Sequence, residues 1–225
     1  AGLHVSAAGL IAVGLTLASP WPHMEGYPAL GALAALFGRF APAGGRMRIV
    51  TLAALLLVGS VALPSLAALP GASPTQLLMC LAVLAGLLTV AVTQWAIGGP
   101  GAVIFVFAAS AALGPVDGWH TVAQRCAFTA AGAAVAWLVC LLTDRLRADT
   151  QLPASAGTPV RRPSHWLIAA ARIALCAAFA AWLAHAAGLR FPAWAAIGTT
   201  AVLQGGHLHI TMHRAVQRMV GTVLG

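Results

Sequence analysis

Residues 191–225 read FPAWAAIGTTAVLQGGHLHITMHRAVQRMVGTVLG. An aromatic residue and Pro192 open a short apolar segment that breaks at Gly205 and Gly206. The chain then restarts in a helical pattern carrying Arg214, Arg218, Gly221, Thr222 and Gly225. Two apolar segments joined by a polar, arginine-bearing turn are what a chain folding inside a bilayer requires. Each span satisfies its own backbone, and the turn stays in contact with water.

Composition carries the same reading across the rest of the chain. Of the 225 residues 60% are apolar and only 7% charged, with a mean hydropathy of +0.91. A soluble domain has about a quarter of its residues charged. The class is therefore an integral membrane protein, all-α and polytopic. The net charge of +8 comes from twelve arginines and no lysine, set against Glu25, Asp117, Asp144 and Asp149. A pI near 11.3 is also a nucleic-acid signal, but these arginines sit in short loops between apolar runs, where positive charge orients a membrane protein. Nucleic acid is excluded as a partner.

Apolar runs predict helices at 3–19, 27–40, 49–63, 77–97, 102–113, 122–142, 166–187 and 192–203, and a ninth from 215 onward. The first run lacks the positive flank and cleavage site of a signal peptide. The stretch PSLAALPGASP (64–74) reads as an uncharged linker, and Gly98, Gly99, Pro100 and Gly101 as a hard break. Residues 144–165, with Asp144, Arg145, Arg147 and Asp149 near their start, Arg161 and Arg162 near their end and Pro, Ser and Gly between, read as a soluble linker. The division expected is a six-helix transmembrane module at 1–143, a cytoplasmic linker at 144–165 and the beginning of a second module at 166–225. The chain starts without Met and stops inside a helical pattern, which reads as an excerpt of a longer protein.

Nine of the twelve arginines fall in the loops 39–48, 143–165 and 205–218. If every segment crosses, these loops share one side, which the positive-inside bias makes cytoplasmic together with the N-terminus. Tyr27-Pro28-Ala29-Leu30-Gly31-Ala32 matches Phe191-Pro192-Ala193-Trp194-Ala195-Ala196 at an offset of 164 residues. Six helices separate the copies, so the repeat is parallel. Short, Gly/Pro-interrupted segments in corresponding places point to a transporter's substrate site.

Inside the spans, Arg172 either snorkels to the interface or holds an anionic group, and Arg125 is expected to snorkel. His185, Thr199, Thr200 and Gln204 complete the candidate substrate-binding set, with helix-to-helix bonding as the plainer role of the hydroxyls and amide. All four carboxylates lie in or beside loops, which disfavours a cation or proton antiporter and suits an anion. His207, His209 and His213 lack a carboxylate or cysteine beside them, so no metal is assigned, and the turn they occupy faces phospholipid. Cys80, Cys126, Cys140 and Cys176 read as packing residues. There is no nucleophile elbow, phosphate loop or cofactor motif, so neither an enzyme nor a cofactor is indicated.

The order of Pro192, aromatic residues and alanine, then a polar turn, then Arg214-x3-Arg218-x2-Gly221-Thr222-x2-Gly225 resembles the membrane signature of the fusaric acid resistance and aromatic acid exporter family. The resemblance covers only the end of the chain. It implies a bacterial inner-membrane protein with two six-helix modules, exporting aromatic carboxylates such as p-hydroxybenzoate or similar organic anions. Some members work with a periplasmic membrane-fusion adaptor. A related plant group consists of dimeric anion channels, which extends the expectation to a homodimer. The alternatives are an organic-anion channel, or a non-transport membrane protein acting through a region beyond Gly225. The short linker departs from the larger exporters, which tend to have a soluble domain there.

On this resemblance Arg214, Arg218, Gly221 and Thr222 form a cytoplasmic gate: the arginines attract the anion and the glycines allow close helix packing. Arg218→Ala is expected to impair anion transport while membrane insertion, checked by fractionation, is retained; unchanged transport removes the gating role.

Overall fold

The computed structural model describes residues 2–39, 41, 45–144, 163–204, 212, 216, 217 and 220. Among these every regular element is a helix: α1 (Gly2–Leu17), α2 (Gly26–Ala32), α3 (Arg46–Ala68), α4 (Pro74–Gln94), α5 (Val103–Ala111), α6 (Trp119–Leu142), α7 (Pro163–Ala186) and α8 (Ala193–Leu203). A 3-10 turn, Leu33–Leu36, prolongs α2. Four helices, α3, α4, α6 and α7, are long and apolar enough to cross a membrane. At about 1.5 Å per residue they match a hydrocarbon core of roughly 30 Å. The chain is a multi-pass membrane protein. Its other helices are short, and α5 has only 9 residues.

Local chemistry sets several boundaries. Ser73 caps α4: its hydroxyl accepts from Gln76 N at 3.3 Å, and the Gln76 side chain accepts from Ser73 N at 2.8 Å, with Pro74 as the first helical residue. Between α4 and α5 the chain reverses through Ala96, Gly98 and Gly101, all at positive φ, and a cis Gly99–Pro100 bond. This is the predicted hard break.

Two boundaries correct the sequence reading. Helix α3 starts at Arg46 and runs through Pro64 to Ala68, so the first five residues of the presumed 64–74 linker are helical. Pro64 is buried inside α3; a bundle tolerates an internal proline because neighbouring groups compensate the missing backbone bond. Helix α7 begins at Pro163, three residues before the expected start. The expected ninth helix and most of 144–165 lie outside the described residues.

Between apolar helices in lipid no hydrophobic force drives association, so contact depends on close packing. Helix α2 lies on α6 backbone to backbone: a Cβ at Gly132 would overlap the Pro28 carbonyl, and one at Gly31 would overlap the Thr129 carbonyl. Helix α4 lies on α7, where a Cβ at Gly86 would stand 3.0 Å from the Ala174 Cβ and 3.2 Å from the Ala170 oxygen. Helices α3 and α6 pack antiparallel, with Arg46 of α3 reaching the end of α6 and Arg125 of α6 reaching the end of α3. In the centre the Phe37 and Phe105 rings stack at 5.0 Å. Outward faces are apolar, with Leu10 and Leu15 on α1 and Leu175, Phe179 and Trp182 on α7 exposed, as a lipid-facing surface should be.

The glycines divide into two kinds. Gly132→Ala overpacks the α2–α6 contact and should cost about 1–3 kcal/mol, read as a lower thermal midpoint in detergent. Gly59 has open space around it, and Gly59→Ala in mid-helix should instead gain about 0.5–1 kcal/mol.

Candidate functional site

Helix α5 stops at Ala111, with Ala112 buried behind it. Arg125, in the second turn of α6, donates to the chain that follows. Its Nη1 donates to the oxygens of Ala112 at 3.1 Å and Gly114 at 3.4 Å, and to Ser65 Oγ at 3.4 Å, while Nη2 donates to Pro115 O at 2.7 Å. The guanidinium also stands 5.7 Å from the centre of the Tyr27 ring, within cation–π range.

Arg125 is 7% exposed and does not snorkel. This corrects the sequence expectation. Three carbonyls of the α5–α6 connection and a hydroxyl of α3 replace the water that snorkelling would seek, each bond to a charged donor being worth about 1.5–3 kcal/mol. One of those acceptors, Ser65, lies in the part of α3 that read as linker, which is why the sequence did not reveal the site. Every partner of Arg125 among the described residues is neutral. Nearby on α3, the Ser60 hydroxyl is buried with no hydrogen-bond partner.

The other end of the α3–α6 pair holds a second buried arginine. Arg46 Nη1 donates to Cys140 O at 3.2 Å and to Asp144 Oδ1 at 3.3 Å. Gly38, at φ +73, lets the chain turn against it, since a Cβ there would stand 3.0 Å from Arg46 Cγ. At this end the charge is neutralised by a carboxylate.

The residues singled out from the sequence do not converge on one cavity. Arg172 and His185 are both exposed on α7, about 20 Å apart along the axis. The Thr199 hydroxyl donates to Ala195 O and that of Thr200 to Ala196 O, each at 2.9 Å, with Thr200 fully buried. These bonds back to the helix are the ordinary habit of threonine in a membrane span. Gln204 has a defined structural task. With its amide oriented by its partners, the oxygen accepts from Ala102 N at 3.0 Å and Val103 N at 2.7 Å, and the nitrogen donates to Pro100 O at 3.3 Å. The end of α8 thus caps the start of α5, and Gly101 has no Cβ because Gln204 occupies that space. Arg214, Arg218, Gly221 and Thr222 lie outside the described residues, as do His207, His209 and His213. Among the described residues no group of His, Cys, Asp or Glu could hold a metal.

A bundle of apolar helices, four of them long enough to cross a bilayer, defines a helical membrane protein. Residues 164–225 match the family model described as fusaric acid resistance protein-like. That match takes in α7, α8 and the segment beyond, including the arginine pattern noted above. Neither a curated protein nor a solved structure matches the chain. The matched segment also repeats the start of α6: His120-x3-Gln124-Arg125-x3-Thr129-x2-Gly132 recurs as His213-x3-Gln217-Arg218-x3-Thr222-x2-Gly225. Arg125 therefore stands in the same pattern as Arg218.

Gln204→Leu removes the cap of α5 and should cost about 0.5–2 kcal/mol, the usual value of a helix cap. The thermal midpoint measures it, and a midpoint equal to that of the unsubstituted protein would rule out the capping role.

Proposed function

We propose that this chain belongs to a bacterial inner-membrane exporter of aromatic carboxylic acids or similar organic anions. The observation that carries the reading is the match of residues 164–225 to the fusaric acid resistance protein-like model. Two features support the sign of the substrate. Glu25, Asp117 and Asp144 all stand outside α1 to α8, so among the described residues no carboxylate within these helices repels an anion. Arg125 is buried and, among the described residues, has neutral partners only.

In this reading the module comprises six helices, with α7 and α8 opening a second, parallel copy. The N-terminus and the 143–165 loop face the cytoplasm. Arg172 and His185 present the exposed polar groups of α7 to the anion or to a neighbouring helix, and His185 is the group available for proton coupling. Thr199, Thr200 and Gln204 act indirectly, by holding α8 and the start of α5. Arg214, Arg218, Gly221 and Thr222 form the cytoplasmic gate. A periplasmic membrane-fusion adaptor and a second copy of the chain are the partners this reading carries with it.

The test is retention of labelled p-hydroxybenzoate in efflux-deficient bacteria expressing the full-length gene, with and without a protonophore. Retention below that of the empty vector, restored by the protonophore, is the expected result. Retention equal to the vector, with the protein confirmed in the membrane, removes this substrate. Flux that only follows the gradient replaces the exporter with a channel.

A further inference from the structure

The two buried arginines are related by a regularity that the parallel repeat does not contain. In α3 the buried positions include Arg46, Val50, Ala53, Leu57 and Val61; in α6 they include Arg125, Thr129, Gly132, Ala136 and Cys140. Each pair is 79 residues apart. The partners follow the same shift: Arg46 bonds Asp144, Arg125 bonds Ser65, and 65 and 144 also differ by 79.

The earlier helices agree to within two residues. Helix α1 ends at Leu17 and α4 at Gln94; α2 begins at Gly26 and α5 at Val103. Ala32-x-Ala34-Ala35-Leu36 corresponds to Ala109-x-Ala111-Ala112-Leu113. Packing is exchanged in the same way, with α2 on α6 and α5 on α3, and with α1 on α6 and α4 on α3. Since α3 and α6 are antiparallel and each unit has three helices, the second unit is inverted relative to the first.

Within this relation the partner of the buried arginine differs in charge. Asp144 neutralises Arg46, whereas its counterpart Ser65 leaves Arg125 with neutral acceptors alone. Residues 46 and 65 are about 28 Å apart along α3, close to the thickness of a hydrocarbon core, so one arginine stands near each face of the bundle. Repeats of opposite orientation place transporter sites at their interface, and an unneutralised charge in a low-dielectric setting acts over a longer range than one in water. The Ser60 hydroxyl, about 7.5 Å from Ser65 along α3, is buried without a hydrogen-bond partner among the described residues.

We infer that residues 2–68 and 74–144 are two inverted copies of one three-helix unit, and that serine in place of the carboxylate at position 65 leaves Arg125 as the fixed positive charge that draws an organic anion into the bundle. The role of that charge rests on the anion-transport reading above; the repeat and the free charge do not.

Two variants of the full-length protein, Ser65→Asp and Arg125→Gln, test it. Ser65→Asp restores the carboxylate that the repeat calls for and neutralises Arg125 without removing it. Thermal midpoint in detergent and uptake of labelled p-hydroxybenzoate by proteoliposomes are measured for each. A Ser65→Asp midpoint above that of the unsubstituted protein, with uptake at least tenfold lower in both variants, is the expected result. A folded Ser65→Asp protein with no gain in midpoint overturns the free charge at Arg125, and uptake at the unsubstituted rate in either variant overturns its role in drawing anions. If Ser65→Asp does not fold, uptake by Arg125→Gln, which keeps a donor for the carbonyls, decides alone. Unsubstituted protein that moves no p-hydroxybenzoate refutes that substrate, and the Ser65→Asp midpoint still decides whether the charge is free.

Discussion

A helix that ends inside an apolar bundle leaves backbone groups that water cannot reach, and the rest of this structure follows from how those groups are satisfied. Helix α5 is the sharpest case, since both Ala102 before it and Ala112 after it are buried. Each end receives a side chain from another helix. Gln204 of α8 occupies the start, and Arg125 of α6 the finish. An unsatisfied backbone group in hydrocarbon costs several kcal/mol, so these two side chains fix where α5, α6 and α8 sit relative to one another.

Positions without side chains do the complementary work. Gly31, Gly132 and Gly86 let pairs of helices meet at backbone distance, which supplies dispersion contact where the hydrophobic effect contributes nothing. Polar ties and glycine contacts coincide on α6, where Arg125, Thr129 and Gly132 lie on one stripe. That helix therefore bears α2 on its glycine surface and α5 on its arginine.

The recurrence of the α6 pattern within the segment that matches the fusaric acid resistance protein-like model connects these structural findings to the proposed function. An arginine stands twice at the same spacing from Gln, Thr and Gly. In α6 its partners are carbonyls and a hydroxyl, a setting that holds positive charge in place without cancelling it.

What the sequence by itself determined was the solvent and the class of element. Apolar runs, the near absence of charge and the Gly/Pro breaks locate the helices and assign them to a membrane, because those properties belong to single segments. The sequence also placed the break at 98–101 and the shortness of α2, α5 and α8. Only the tertiary structure decided that Pro64 is helical, that Arg125 is buried and that Gln204 is a cap. The last two depend on acceptors or donors brought from 10 to more than 100 residues away. An arginine near a helix end is compatible with snorkelling or with burial, and what separates the two is whether neighbouring helices present enough oxygens to replace water.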